Sequence, residues 1–529
     1  MMREFDIAVI GSGFAGSLMA MIAKRLGHSV VLIEKGTHPR FAIGESSTPL
    51  TNLMLEELAD TYDLPFLRNL SKWGAWQEHH PDIGCGLKRG FTFLKHDLGS
   101  PFEFRDDRSN ELLVAASPND RIADTHWYRP DFDRFLQQRA VEHGVECLNE
   151  CAVNAITWNK IPGTRNADYW GRGATLNVVH ENSCHDLKVK LVIDASGPRG
   201  CLWKLLGLDE IPLVDLPETQ SVFSHFRGVE ELKWPTAETP YPPESAAVHH
   251  VFDGGWIWVL RFNNGITSAG VVARREIAEE WDFKNGEPGW RRALEQMPTV
   301  RALFENAEAV EPFRFMPCVS FRSAQVSGPG WVMLPSAAGF ADPLLSTGFP
   351  LTLFGIKRLA GLLRKNPLDE QIAPGIAGYS EQTVCELAVT ARLIAALYWN
   401  MNDFALFTAL TKLYFAAVSF SETRQRLGKR YLGHGFLLMR HPVFGPSLRR
   451  CIDHAILHGQ TNGTRSESMS LQASIQEAIK PIDIVGLGND GRRNWFPADN
   501  TELFANREKL GASCEDVEQL IRRCGLERW

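Results

Sequence analysis

Several features that would place the chain in another functional class are missing from it. Ten cysteines stand at 85, 147, 151, 184, 201, 318, 385, 451, 514 and 524, without a CxxC pair and without the repeated Cys/His spacing of a zinc site. Neither a disulfide framework nor a bound metal is expected. Cys147 and Cys151 lie four apart, close enough to meet on one helix face, but the simpler reading is two unrelated thiols. Charge of one sign is never gathered into long blocks, and 56 Lys+Arg against 63 Asp+Glu leave a net charge of -7. Nucleic acid and anionic lipid are poor partners for such a surface. The most apolar long stretch, 393–420, is interrupted by Asn400, Asn402, Asp403 and Lys412, so it reads as packed core helices rather than a membrane span. The opening MMREFDIAVIGSGFAG runs from Arg3, Glu4 and Asp6 straight into an apolar run, leaving no room for a secretory signal. Internal repeats and low-complexity tracts are also lacking. The expectation is a cytoplasmic globular protein, monomer or homodimer, whose partner is a small molecule rather than nucleic acid or a membrane.

With 529 residues, 44% of them hydrophobic, the chain can bury a large core shared by two to four structural units. Its most informative local pattern comes first. FDIAVI, residues 5–10, is a short apolar run of strand type, followed by Gly11-Ser12-Gly13-Phe14-Ala15-Gly16 and the helical pattern SLMAMIAKRLG. Gly11 suits a tight turn, Gly13 lets the backbone approach a pyrophosphate, and Gly16 lets helix and strand pack closely. The helix N-terminus, through Phe14 and Ala15, offers free N–H groups to phosphate. A second strand, SVVLIEK, ends in Glu34 and Lys35, about 20 residues on, where a carboxylate can accept ribose hydroxyls. A glycine motif alone is weak, but strand, turn and helix together predict a dinucleotide site. The irregular sequence after Glu34, with the polar loop FAIGESSTP, suits one dinucleotide held along its whole length.

Four separated stretches then resemble the flavin-dependent halogenases, within the flavin monooxygenases. GSGFAG…VVLIEK with GESSTP is similar to the FAD-binding turn and the strap across the flavin, which adds Glu45 and Ser46 to the cofactor set. WYRPDFDRFLQQRAVEHGV, residues 127–145, resembles the family's R-x-x-FD-x-x-L helix and adds Arg129. LVIDASGPRGCL, residues 191–202, adds Asp194; its Asp194 and Gly197 are split by Ala195 and Ser196, as in halogenases rather than in hydroxylases that draw hydride from NADPH. Phe340-Ala-Asp-Pro343-Leu-Leu-Ser346-Thr-Gly348 fits the halogenase pattern FxxPxxSxG and brings in Asp342 and Gly348. The resemblance implies FAD used as FADH2 and supplied by a separate NAD(P)H-dependent flavin reductase, with a halide ion, chloride or bromide, held by Ser346, Thr347 and Gly348. Two readings of that turn stand together: a small-residue helix N-terminus that binds halide, and one that steadies the flavin ring.

The same resemblance singles out a lysine. The family's GxFKxxxxF segment corresponds here to Gly86-Leu87-Lys88 followed by Phe93, so Lys88 takes the position between flavin and substrate chambers. Flavin hydroperoxide and halide give hypohalous acid in this chemistry, and Lys88 would hold that diffusible oxidant by hydrogen bond or as a haloamine. Burial would favour the amine. Lys72, Arg89 and Lys95 read as surface charge.

Three departures qualify the resemblance. The WxWxIP signature survives only as Trp256-Ile-Trp258-Val-Leu260; Ser336 replaces the Asp that contacts the flavin ribitol; and Leu345 stands where tryptophan halogenases have a glutamate. The last favours an electron-rich phenol or pyrrole over free tryptophan, with a free phenol preferred.

The expected fold is α/β: a Rossmann-like FAD-binding domain of the glutathione-reductase or flavin-monooxygenase type with an interleaved antiparallel substrate sheet over 1–370, then a mainly helical lid over 371–529. Strands are expected in AAVHHVFDGGWIWVLRF and TSAGVVARR, joined by glycine turns. In the lid, Trp399, Phe404 and Tyr414 are candidates, with Leu345, to line the substrate chamber, although for any one of the three aromatics a place in the core is the preferred reading. The tail IVGLGNDGRRNWFPADN reads as a surface loop before a final helix. The leading function is an FADH2-dependent halogenase that acts on an electron-rich aromatic through Lys88. The alternatives are a flavin hydroxylase of the same fold and a flavin-binding protein without turnover.

Overall fold

The computed structural model describes residues 3–159, 173–180, 183–429 and 435–525. The first apolar run becomes strand Arg3–Ile10, whose last four residues are buried between parallel neighbours, Val30–Ile33 on one side and the end of Ser183–Asp194 on the other. A parallel strand sandwiched by helices reads as continuous apolar sequence, which is why AVI and VVLI show no alternation. Glu146–Leu148 and Trp331–Met333 extend this sheet at its two sides. Helices Phe14–Arg25, Arg129–Glu142 and Gly348–Lys365 pack together over it. The early part of the long Ser183–Asp194 strand pairs antiparallel with Ala174–His180, which in turn pairs with Cys151–Trp158. Cys147 and Cys151 therefore sit on strands, not on one helix, and all ten cysteines are free thiols.

The second sheet is the expected, largely antiparallel one. Thr219–Arg227, Thr267–Arg274, Gly255–Arg261 and Ala247–Phe252 form its middle, with turns at Gly254 and Gly265, both at positive φ. Gly90–Lys95 and Glu111–Ala115 continue it. Side chains alternate across a strand, so Trp256 and Trp258 enter the main core while Ile257 and Val259 enter a separate cluster with Trp281 and Trp290 on the other face.

Beyond residue 370 the chain is mainly helical, as expected. Ala373–Trp399 and Phe404–Arg426 are divided where Asp403 caps the second helix by accepting the Leu406 N–H. Phe404–Arg426 is long and apolar enough to cross a membrane, yet it packs against Pro49–Tyr62 and Arg465–Ile479. One expectation fails here. The tail is not a surface loop: Trp495–Phe496 adds a parallel strand to Glu111–Ala115, and Ile484 and Leu487 are buried. Partners distant in sequence fix it, since the Trp495 indole donates to Glu111 and stacks on the Arg108 guanidinium. The surface reading of three cations is also corrected. Arg89 is buried on Asp120 and the Ser117 carbonyl, Lys72 is half-buried beside Glu56, and Lys95 is half-buried with its pKa lowered by burial.

Two fold features position the site. A short ribbon of Cys85–Lys88 and Asp124–Trp127 lies so close to the substrate sheet that a Cβ on Gly86 would come 1.9 Å from the Arg261 carbonyl oxygen. A buried chain of hydrogen bonds ties sheet to helix to loop: the Trp256 indole donates to the Tyr398 hydroxyl at 3.0 Å, Tyr398 donates to Asp342 at 2.9 Å, and Asp342 accepts the Leu344 N–H. Burial pushes the Asp342 carboxyl up to about 7. Tyr398→Phe leaves Asp342 and Trp256 short of a partner each, at a cost of about 1–3 kcal/mol; thermal unfolding should show a lower midpoint, and an unchanged one would remove the chain from the stabilising forces. Gly86→Ala should cost about 1–3 kcal/mol through overpacking, visible in the same assay.

Candidate active site

The glycine turn is built as the sequence requires. Gly11 adopts φ +96°, and a Cβ there would come 2.7 Å from Ser196 Cα; a Cβ on Gly16 would lie 1.8 Å from the Gly11 carbonyl oxygen. Helix Phe14–Arg25 starts with Gly13 as its cap and no side-chain capping bond, but the Phe14 N–H, expected to be free for phosphate, donates to Asp133 at 3.2 Å. Glu34 ends the second strand and accepts from Ser12 N and Gly36 N, with Arg40 at 3.3 Å. Burial works against its charge, but these donors outweigh it and hold the carboxyl below its usual range. Lys35, next in sequence, is exposed.

In front of the turn lies a cavity of about 500 Å³, within the range of small-molecule sites. Gly13, Arg129, Ser196, Ser336, Thr347 and Gly348 are among the residues that line it, from five separated segments of the chain. Ser221 Oγ and Arg40 Nε, on lining residues, have no hydrogen-bond partner among the described residues. A glycine cradle, a helix N-terminus and unpaired polar atoms around an apolar cavity fit a bound FAD. Asp194 stands just behind, accepting from Ser196 and Leu202, and shapes the lining turn rather than facing the cavity.

The strap, residues 40–48, crosses this cavity and is stitched down along its length. Arg129, clamped by both oxygens of Asp133, donates to the Ile43 and Gly44 carbonyls. Trp127 N donates to the Glu45 carbonyl, and Ser47 exchanges bonds with Thr125. The Glu45 carboxylate reaches His225 at 2.8 Å, with both side chains buried. Residues 40–44 line the cavity. Beyond Glu45, the strap residues Ser46 and Ser47 meet Lys88.

Lys88 ends its strand with 0% exposure. Its Nζ donates to Ser46 Oγ at 2.9 Å and to the Ser47 carbonyl at 2.6 Å, and it lies 3.8 Å from the centroid of the Phe91 ring. Burial drives the amine's pKa down, while Asp124, opposite it on the ribbon, pulls it back up. Burial also pushes His126 and His249 down to about 3, with repulsion from Lys88 adding to it, so both rings stay neutral. A cluster of rings extends from Phe91: Phe93 stacks on it, Phe415 meets it edge-on, and Phe407 meets Phe93.

Helix Gly348–Lys365 begins at the cavity, where Thr347 is its cap and Gly348 its first residue, again without a side-chain capping bond. Ser346 sits at φ +52° in the turn before it and is buried outside the cavity lining. Leu345 is fully buried, and Asp342 is spent on Tyr398 and Leu344. Of the candidate aromatics after residue 370, Phe404 stacks on Phe407 and Tyr414 meets Phe415, which joins both to the ring cluster that reaches Lys88 through Phe91. Trp399 does not join them; its indole donates to the Asp215 carbonyl. Sequence reasoning missed Asp124, Asn52 and His225. Asp124 is reached only by pairing across the ribbon, Asn52 by helix Pro49–Tyr62 meeting that ribbon, and His225 by its sheet meeting the strap, none of which a local pattern records.

Residues 125–409 match the family model for tryptophan halogenase, and residues 6–159 that for an FAD binding domain. Monodechloroaminopyrrolnitrin halogenase PrnC of Pseudomonas fluorescens is 27% identical over 428 residues, which are 78% of this chain and 71% of its own. Tetracycline 7-halogenase of Kitasatospora aureofaciens is 27% identical, over 72% of this chain and 67% of its own. The crystal structure of halogenase PltM in complex with phloroglucinol and FAD has a similar fold, with a TM-score of 0.79 at 23% identity, covering 92% of this chain and 99% of that one. Because the first match takes in more than half of the chain, the protein belongs to the tryptophan halogenase family of flavin-dependent halogenases, enzymes that use FAD and halide.

Proposed function

We propose that the enzyme halogenates a free, electron-rich aromatic, a phenol before a pyrrole, and that Lys88 delivers the halogen. The observation that carries this reading is a lysine nitrogen shut away from solvent and bonded to Ser46 and Ser47 of the strap whose preceding residues, 40–44, line the cavity. When bound, reduced FAD with O2 supplies the oxidant that turns halide into hypohalous acid. The chain's own residues then confine it. The N–H groups that open helix Gly348–Lys365 offer halide a positive helix end at the cavity. Lys88 holds the hypohalous acid on the far side of the strap, where its amine gives the halogen one fixed position. The aromatic surroundings of Phe91, Phe93, Phe407 and Phe415 suit a flat acceptor ring.

Leu345 supports the choice of acceptor. A weakly activated ring needs a carboxylate beside the turn, whereas a phenol reacts without one, and here the position is apolar and buried. The Asp194-Ala-Ser-Gly197 turn supports supply of reduced flavin by a separate reductase, and ten free thiols agree with a cytoplasmic setting. The part up to about residue 370 carries the flavin side together with the substrate sheet, and the helices after it close the acceptor chamber as a lid.

Two experiments test this reading. With bromide, an NADH-dependent flavin reductase and a panel of phenols, pyrroles and indoles, mass spectrometry should show brominated phenol. Lys88→Ala should lower that product about 100-fold or more while reduced FAD is still consumed, and a variant that brominates normally ends the role of Lys88. Ser336 faces the cavity with a hydroxyl. Ser336→Asp should tighten FAD about tenfold through a charge-assisted hydrogen bond, and a titration with unchanged affinity contradicts that placement.

A further inference from the structure

Lys88 and Asp124 are partners in direct register across the short antiparallel ribbon. Opposite side chains in such a pair start roughly 4.5–5.5 Å apart at Cβ and share one face. Both are enclosed, at 0% and 2% exposure. Asp124 Oδ1 accepts from Asn52 Nδ2 at 2.6 Å, while Asp124 Oδ2 has no partner among the described residues. Lys88 Nζ has two oxygen acceptors, Ser46 Oγ and the Ser47 carbonyl. Two N–H bonds are what a neutral amine can donate, and an ammonium has three. Keeping both groups charged at this depth forfeits the hydration of two ions. An amine opposite a carboxylic acid avoids that cost. The halide turn offers no competing carboxylate, since Leu345 is apolar and Asp342 is committed to Tyr398.

We propose that Asp124 is the positioning residue for Lys88, a carboxyl group set opposite it across the ribbon whose charge decides whether Lys88 stands as ammonium or amine. An ionised Asp124 favours the ammonium, and a protonated Asp124 favours the amine. Asp124 acts through space, since Lys88 Nζ donates to Ser46 and Ser47 rather than to it. The inference rests on the reading of Lys88 as the halogen-delivering residue. The groups that face Asp124 and Lys88 fit it. From helix Phe404–Arg426, Glu422 and Arg426 act on Asp124 with opposite signs, and the Tyr414 hydroxyl, without a partner among the described residues, feels its charge. From the ribbon and the substrate sheet, His126 and His249 are neutral rings. From helix Pro49–Tyr62, Asn52 favours the charged carboxylate through its donated N–H.

The test is the pH profile of bromination for the wild type, Asp124→Asn, Asn52→Ala and Lys88→Ala, with reduced FAD in excess and FAD affinity measured alongside. Asp124→Asn should keep FAD binding and reduced-FAD consumption and lose about tenfold or more in bromination. The limb of the profile that reports Lys88 should move to lower pH by about one unit or more, because a neutral amide no longer favours the protonated amine. Asn52→Ala should move it the same way by a smaller amount, and supplies the test if Asp124→Asn does not fold. An unmoved limb in the folded variants overturns the proposal, whether or not the rate falls. Normal bromination by Lys88→Ala overturns instead the reading of Lys88 on which it rests.

Discussion

The nitrogen of Lys88 is out of reach of water, and most of the site's construction follows from that constraint. An amine so placed must find its hydrogen-bond partners inside the protein. It finds them on the strap, which fixes the strap against the ribbon. The strap in turn presents Ser46 Oγ and the Ser47 carbonyl while its own backbone is held by Arg129 at Ile43 and Gly44, by Trp127 at Glu45 and by Thr125 at Ser47. Arg129 is held by Asp133, one helical turn further on, and Asp133 also takes the Phe14 N–H of the glycine-turn helix. The nucleotide turn, the strap and the lysine therefore form one hydrogen-bonded sequence. A shift at any of its members is passed on to the next.

The substrate sheet closes the other side by alternation. Trp256 and Trp258 both face the main core, but their polar ends go to different places: Trp258 to Ser268 in its own sheet, Trp256 to Tyr398 of the lid. Through Tyr398 and Asp342 the lid reaches the turn that opens helix Gly348–Lys365. That turn is conformationally demanding, with Ser346 in the left-handed region, and Asp342 braces it by accepting the Leu344 N–H. Asp342 thus uses its carboxylate in the frame of the site rather than toward the cavity.

The parts of this arrangement that were legible in sequence are those written locally. The glycine turn, the helix from Arg129, the strands on either side of Gly254 and the helix from Gly348 each follow from residues within a few positions of one another. Lys88 was legible only through a resemblance, because eight letters around a lysine say nothing about its burial. Asp124 was invisible for a different reason: it lies 36 positions from Lys88, and only the ribbon's register makes them neighbours. Arg89 read as surface charge because its partners, Ser117 and Asp120, arrive from another strand's end. The tail misled through composition. Its glycines and asparagines signalled a loop, while two aromatic residues among them were enough to complete a sheet.

That tail strand also bears on how the chain comes to be made. Glu111–Ala115 is an edge whose covering strand, Trp495–Phe496, is translated some four hundred residues later. Until then a nascent chain carries an apolar strand with unpaired backbone groups, and such edges invite pairing with other chains. The loop-closure entropy of so distant a contact is recovered only once that strand has been made. Covering of this edge is thereby deferred by several hundred residues of translation, and a chain cut short before Trp495 exposes the edge that the folded protein hides.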